Sequence, residues 1–210
     1  MKENHMRKLP NGAFQLSRSR GANGYVLPLQ AGYAVIDPGM KSGAQAVLAE
    51  LAHAGMAGSI SHIVLTHGDT DHAGAALTLA RETGARLWIG RAEADILAGR
   101  TAPGTVFRRL LNSVGRPRLP DKVEFLGESG TLPGEVTAIA TPGHTPGHFA
   151  FAWQDSVFSG DAVMVRADGS LKQFPRLLIT NKAQALASTQ VLEALDVQWI
   201  CPGHGKVTAR

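Results

Sequence analysis

Thr66-His67-Gly68-Asp69-Thr70-Asp71-His72-Ala73-Gly74 is the stretch on which the reading of this chain turns. Two imidazoles and two carboxylates fall close together, directly after the apolar run 60–66. Carboxylates two residues apart repel each other unless a cation lies between them. Glycine at 68 lets the backbone turn tightly, so that side chains at alternate positions face inward. Imidazole together with carboxylate is a donor set suited to a borderline divalent metal.

The same arrangement recurs down the chain. His144 lies in Thr141-Pro142-Gly143-His144-Thr145-Pro146-Gly147-His148, Asp161 in Ser159-Gly160-Asp161, and His204 in Pro202-Gly203-His204-Gly205. In each case an apolar stretch runs into a glycine-containing loop that bears a metal-ligand side chain. Strand ends collect at one edge of a layered fold, so such loops can converge on one point. The other histidines invite plainer readings. His148 stands beside Phe149 and reads as a structural hydrogen-bonding residue, while His53 and His62 sit at the end of a helix and the start of a strand. Cys201 is the only cysteine, which rules out a disulfide within the chain, and it reads as a small buried apolar residue rather than a nucleophile.

Around these loops the pattern alternates between strand and helix. Residues 14–16, 25–29 and 33–36 read as a strand meander. Asp37-Pro38-Gly39 is a turn. A helix capped by Ser42 runs to about residue 54, with Val47, Leu48 and Leu51 on one face and Gly55 ending it. Strand 60–66, loop 67–72, helix 73–83 and strand 86–89 follow. Further strands are expected at 123–126, 136–140, 149–153 and 157–159, then a helix over 182–195 and a last strand at 198–201. Segment 99–122 differs. It carries six basic residues, among them Arg108 and Arg109, against the single acid Asp121, and several Gly and Pro. It reads as a basic, irregular insertion or lid around a short helical piece at 107–112. Strands with helices between them imply an α/β layered architecture.

The chain of 210 residues suits one domain. Residues 1–12 are set aside from the fold, as disordered or foreign to it. Net charge is +4 without a long Lys/Arg block, and only two tyrosines occur. A nucleic-acid partner is not expected. No stretch approaches a membrane span and no signal-type apolar run opens the chain, so a cytoplasmic protein without a membrane partner is expected.

The ordered set of loops resembles the metallo-β-lactamase superfamily, whose signature reads His-x-His-x-Asp-His and is followed by a Gly-His, a Gly-Asp and a Pro-Gly-His-Gly loop. Asp37-Pro38-Gly39 after an early strand is also typical. The likeness spans residues 25–205, and it implies a four-layer αββα sandwich with the metals at one edge. Carried over residue by residue, it implies one metal site of His67, Asp69 and His144, a second of Asp71, His72 and His204, and Asp161 bridging. The departure is Asp69, where the family pattern has histidine. Two divalent ions, three carboxylates and a hydroxide then sum to zero charge, where the usual set sums to +1. A less positive site lowers the pKa of its water less, and a harder donor set moves preference from zinc toward iron or manganese.

The resemblance implies two divalent metal ions, zinc foremost, and a metal-bound hydroxide that attacks a small ester, thioester, lactone or lactam. Asp71 would orient the hydroxide as well as bind metal. Arg108 or Arg109 would contact an anionic part of this small-molecule substrate, as a mobile wall of the pocket. Some relatives carry a basic helical extension for glutathione thioesters, a tyrosine after the bridging Asp for lactones, or a fused flavin domain; none of these is found here. The rival from another class is a mononuclear iron oxygenase acting on a sulfur substrate through His67, His144 and Asp161. A phosphodiesterase and a non-catalytic binding module rank below it.

Overall fold

The computed structural model describes residues 6–105, 108–110, 115–127, 132 and 136–210. Its first sheet takes seven strands in sequence order: Arg7–Lys8 (β1), Phe14–Gln15 (β2), Tyr25–Pro28 (β3), Tyr33–Ile36 (β4), Ile60–Val64 (β5), Arg86–Gly90 (β6) and Glu124–Leu126 (β7). The β1–β4 part is an antiparallel meander, and β4 to β7 run parallel. Helices Ala44–His53 (α1), Thr70–Ala73 (α2), Ala76–Thr83 (α3) and Arg91–Leu97 (α4) lie within the parallel part of the chain. In the second half come Thr137–Ala140 (β8), Phe149–Trp153 (β9), Ser156–Gly160 (β10), the ribbon Met164–Val165 (β11) and Leu171–Lys172 (β12), helix Lys182–Glu193 (α5), Trp199–Pro202 (β13) and Thr208–Ala209 (β14). The second sheet has the order β14-β13-β10-β9-β8.

Alternation along the strands sorts the apolar residues into layers, because successive side chains of a strand point to opposite faces. Ala34, Ile36, Val64 and Trp88 of the first sheet meet Phe151, Trp153, Phe158 and Cys201 of the second. Their neighbours Val35, Ile63, Leu87 and Ile89 turn the other way, onto Val47 and Leu51 of α1 and Leu79 of α3. On the far side, Ala150, Val157 and Ile200 pack against Leu192 of α5. Helices, sheet, sheet and helix therefore stack as four layers, as the resemblance implied.

Several boundaries differ from expectation. Ser42 does not cap α1: a 3-10 turn, Lys41–Gly43, leads into the helix, and no side chain caps it. The expected helix 73–83 is two pieces, broken at Gly74, where a Cβ would lie 2.5 Å from the Thr70 carbonyl oxygen and 2.6 Å from Lys41 N. Residues 6–12, set aside from sequence, belong to the fold: β1 pairs with β2, Leu9 is buried between the sheets, and Asn11 donates to Ser156 Oγ at 2.6 Å. The helical piece expected at 107–112 lies partly outside the described residues; 108–110 are helical. Asn181 caps α5, its side chain accepting from Gln184 N. Among the described residues no helix is long and apolar enough to cross a membrane.

Candidate metal centre

Every ligand-bearing loop leaves the C-terminal end of a strand: β5 for His67 to His72, β8 for His144, β10 for Asp161 and β13 for His204. In the second sheet β10 is parallel to β13, and β8 is parallel to β10 through the intervening antiparallel β9. Their ends therefore share one edge, and the loops meet there.

Two donor groups form. One holds His67, His144 and Asp161, the other Asp71, His72 and His204. Asp161 joins them. Its Oδ2 lies 3.5 Å from His144 Nε2 and 3.4 Å from His204 Nε2, and its Oδ1 lies 3.3 Å from His72 Nε2. Asp71 Oδ2 is 3.3 Å from His204 Nε2 and 3.8 Å from His72 Nε2. Asp69 Oδ2 is 3.3 Å from His144 Nε2 and 3.4 Å from His67 Nε2. Donors about 2.0–2.1 Å from a common ion in a tetrahedron are spaced by roughly 3.3–3.4 Å, so these separations fit shared cations.

The protonation pattern fits as well. Asp37, which sequence reading treated only as part of a turn, accepts from Thr66 N at 2.9 Å and from Thr66 Oγ1 at 2.6 Å, and its Oδ2 lies 2.8 Å from His72 Nδ1. Thr66 Oγ1, having donated to Asp37, accepts from His67 Nδ1 at 2.9 Å. With Nδ1 of each imidazole committed to this network, a neutral ring would turn its Nε2 lone pair toward the centre. His67 Nε2, His72 Nε2 and Asp161 Oδ1 are buried without hydrogen-bond partners. Such orphaned atoms are costly unless an ion takes them up. Asp37 itself holds a left-handed backbone, φ 47°, a strain its three hydrogen bonds over-determine. A third spatial group, Asp37 with His67 and His72, is this orienting network rather than another metal site, because Asp37 is committed to Nδ1 of His72 and to Thr66.

Close approach also needs glycine at 203. A Cβ there would lie 2.4 Å from Asp161 Oδ1 and 2.7 Å from His72 Cε1. Burial alone would raise the Asp161 pKa, but the nearby imidazoles of His72 and His204 hold it well below the carboxylate range. Burial would likewise raise Asp69, which His67, His144 and Arg108 hold well below that range. Burial pushes His144 down to about 4, and hydrogen bonds with Asp161 and Asp71 push His204 up to about 9.

Residues outside the donor set hold it in place. His148 is fully buried, pairs with Thr141 Oγ1 at 2.8 Å and accepts from Asp161 N at 3.1 Å, the structural part read for it. Glu93 on α4 accepts from Gly68 N at 2.9 Å and Gly147 N at 2.8 Å, joining the His67 and His144 loops. Nothing in the sequence around Glu93 marks it beyond being an acid on a helix. Cys201 is buried in the layer between the sheets, and its thiol is pushed up to about 12 by burial, as suits a packing residue. Arg109 is exposed. Arg108 is not: its Nη1 lies 2.7 Å from both oxygens of Asp69, and Nη2 donates to the Leu178 carbonyl at 2.7 Å.

Comparison with known proteins agrees with this fold. The family model of the metallo-beta-lactamase superfamily matches residues 19–204. An uncharacterized protein of Bacillus subtilis (strain 168), YobT, is 32% identical over 158 residues, covering 70% of this chain and 68% of that protein. The hydroxyacylglutathione hydrolase GloC of Haemophilus influenzae is 30% identical over 179 residues, covering 83% and 81%. This chain spans about half the length, or less, of the matched hydroxyacylglutathione hydrolases of Shewanella baltica. Among solved structures, TTHA1623 in a di-iron-bound form superposes with a TM-score of 0.72 at 26% identity, covering 97% of this chain and 93% of that one. With this match over nearly the whole sequence, and with the donor loops of the pattern meeting at one edge of a four-layer sandwich, the chain belongs to the metallo-beta-lactamase superfamily and is one of its metallo-hydrolases.

Proposed function

We propose that this protein is a two-metal hydrolase of a small ester, thioester, lactone or lactam. The observation that carries the reading is the pair of donor groups joined through Asp161. His67, Asp69, His144 and Asp161 would hold one ion, and Asp71, His72, His204 and Asp161 the other. Zinc fits the imidazoles, and the three carboxylates also suit iron or manganese. Bound divalent ions would lower the pKa of water and polarise a carbonyl oxygen.

The protein's own groups supply orientation. Asp71 is partly exposed, and its carboxyl is held below the ordinary range: burial would raise it, but the hydrogen bond with His204 and the charge of His72 prevail. As an ionised acceptor at the open side of the site, it would hold and align the attacking water. Phe174, buried with its ring centroid 5.1 Å from that of His144 and 6.1 Å from that of His204, would wall the site and exclude bulk water. With Arg108 engaged by Asp69, Arg109 is the freer candidate for contact with an anionic substrate group.

A second reading keeps one specific support. Arg108 engages both oxygens of Asp69, and if that pairing removes Asp69 from the metal, His67, His144 and Asp161 remain as the two-histidine, one-carboxylate set of mononuclear iron oxygenases. The completeness of the second group, Asp71, His72 and His204, weighs against it. Elemental analysis of protein purified without added metal, combined with an assay panel, separates the two. The panel would hold a hydroxyacylglutathione, prompted by the GloC relative, with a lactone, a β-lactam and a simple ester. Two ions per chain with hydrolysis of a panel member is the expected result. One iron with oxygen consumption would establish the second reading, and no metal at saturation would remove both.

A further inference from the structure

The departure from the family pattern is Asp69, and the residue that meets it comes from the basic insertion. Arg108 is only 3% exposed, as buried as His144. Its Nη1 sits 2.7 Å from Oδ1 and 2.7 Å from Oδ2 of Asp69, so one nitrogen bridges both carboxylate oxygens. The same Oδ2 also lies 3.4 Å from His67 Nε2 and 3.3 Å from His144 Nε2. A carboxylate has about four lone-pair sites, so donation from Arg108 leaves acceptor capacity toward the centre.

Arg108 also ties Asp69 to the segment that carries His144. Nη2 donates to the Leu178 carbonyl at 2.7 Å. Two residues on, Thr180 Oγ1 donates to the His144 carbonyl at 2.8 Å, and Thr180 N donates to the Gly143 carbonyl at 2.8 Å. One guanidinium therefore sets the position of Asp69 relative to His144 across three segments far apart in sequence.

The charge count points the same way. Aspartate in place of histidine adds one negative charge to the donor set, and Arg108 adds one buried positive charge against it. We propose that Asp69 and Arg108 act as a single neutral unit in the place that imidazole takes in the family pattern, with Arg108 as a positioning residue that aims the carboxylate and cancels its charge. This rests on the metal-binding reading of the site. It accounts for a basic side chain from the insertion being turned inward rather than toward solvent, and it makes the two positions interchangeable only together.

The test compares wild type, Asp69→His, Arg108→Met and the double variant, each measured for ions per chain and, after chelation, for melting temperature. Asp69→His alone leaves Arg108 buried without its partner beside the site. The expected result is a fall of roughly 5–15 °C in the melting temperature of the stripped protein, with metal retention weakened at least tenfold. The double variant, neutral at both positions, is expected to recover most of both losses. Wild-type affinity for both ions in Asp69→His alone, read by chelator competition, or a double variant no better than the worse single, overturns the proposal. A pair that served folding only would move the melting temperature in every variant and leave the ions per chain unchanged; that too overturns it. Failure of the metal-binding reading is distinguishable, because it shows as missing ions in the wild type, while the melting temperatures of the stripped proteins still report whether the two positions are coupled.

Discussion

The two halves of the centre are built from similar donors and set in different surroundings. In the inner half, His67 and His144 are buried, and the buried Arg108 pairs with Asp69. In the outer half, His72 is buried, but His204 is 34% and Asp71 28% exposed, and among the described residues no cation is paired with Asp71 other than these histidines. The inner half is thus the more enclosed and carries a compensating guanidinium, although Asp69 is itself 22% exposed, and the outer half is the more open of the two. A catalytic metal site needs an open position, whereas a holding site is closed on all sides. Under the proposed two-metal reading, this asymmetry would give the alignment of water to Asp71 and anchoring to the inner group.

Removing the residue common to both halves breaks the comparison most severely. Asp161→Ala is expected to lose at least one ion and to lower kcat/KM by more than about 100-fold, beyond the ~10–100-fold that residues orienting ligands from outside are worth. Two ions retained at wild-type affinity would show that Asp161 does not join the halves.

Asp37→Asn sharpens the comparison at the level below. Asp37 Oδ2 pairs directly with His72 and only through Thr66 with His67. The outer ion is expected to weaken about 10–100-fold and the inner ion less, as read by stepwise chelator titration. Equal weakening of both would mean that Thr66 transmits the full effect.

Glu93→Gln addresses the inner half alone and is the mildest change. It exchanges one of two acceptor oxygens on Gly68 N and Gly147 N for an amide that cannot accept. A loss of about 1–3 kcal/mol is expected for a buried donor left unpaired, measured by denaturant unfolding, with ions per chain unchanged. A change in metal content would show that the strap between the two loops also sets the donor geometry.

The candidate donors were legible in the chain because their spacing is a local signal, and the four-layer fold because the ordered loops resemble a known family. A metal ligand after a strand needs glycine within one or two residues, so Gly68, Gly143, Gly160 and Gly203 stand beside their ligands in sequence. Most of the strands that build the layers are four to five apolar residues, buried along most of their length. The two-residue strands β1, β11, β12 and β14 escaped notice because their pairing, not their composition, defines them. Leu9 and Asn11 looked like part of a tail until β1 closed against β2 and placed them beside the second sheet.

The amino-acid sequence by itself determined which ligand-type residues follow which apolar strands, since short-range spacing carries that information, and the resemblance supplied the layering. Only the tertiary structure decided what stands behind them. Asp37 meets His72 across 35 positions, Glu93 meets Gly147 across 54, and Arg108 meets Asp69 across 39. Each contact is a charge or acceptor placed by the packing of distant segments, and a carboxylate or guanidinium in a polar stretch of sequence gives no sign of whether it will face water or a buried partner. Burial removes the water that would otherwise satisfy these groups, so the partner the fold supplies settles what each of them does.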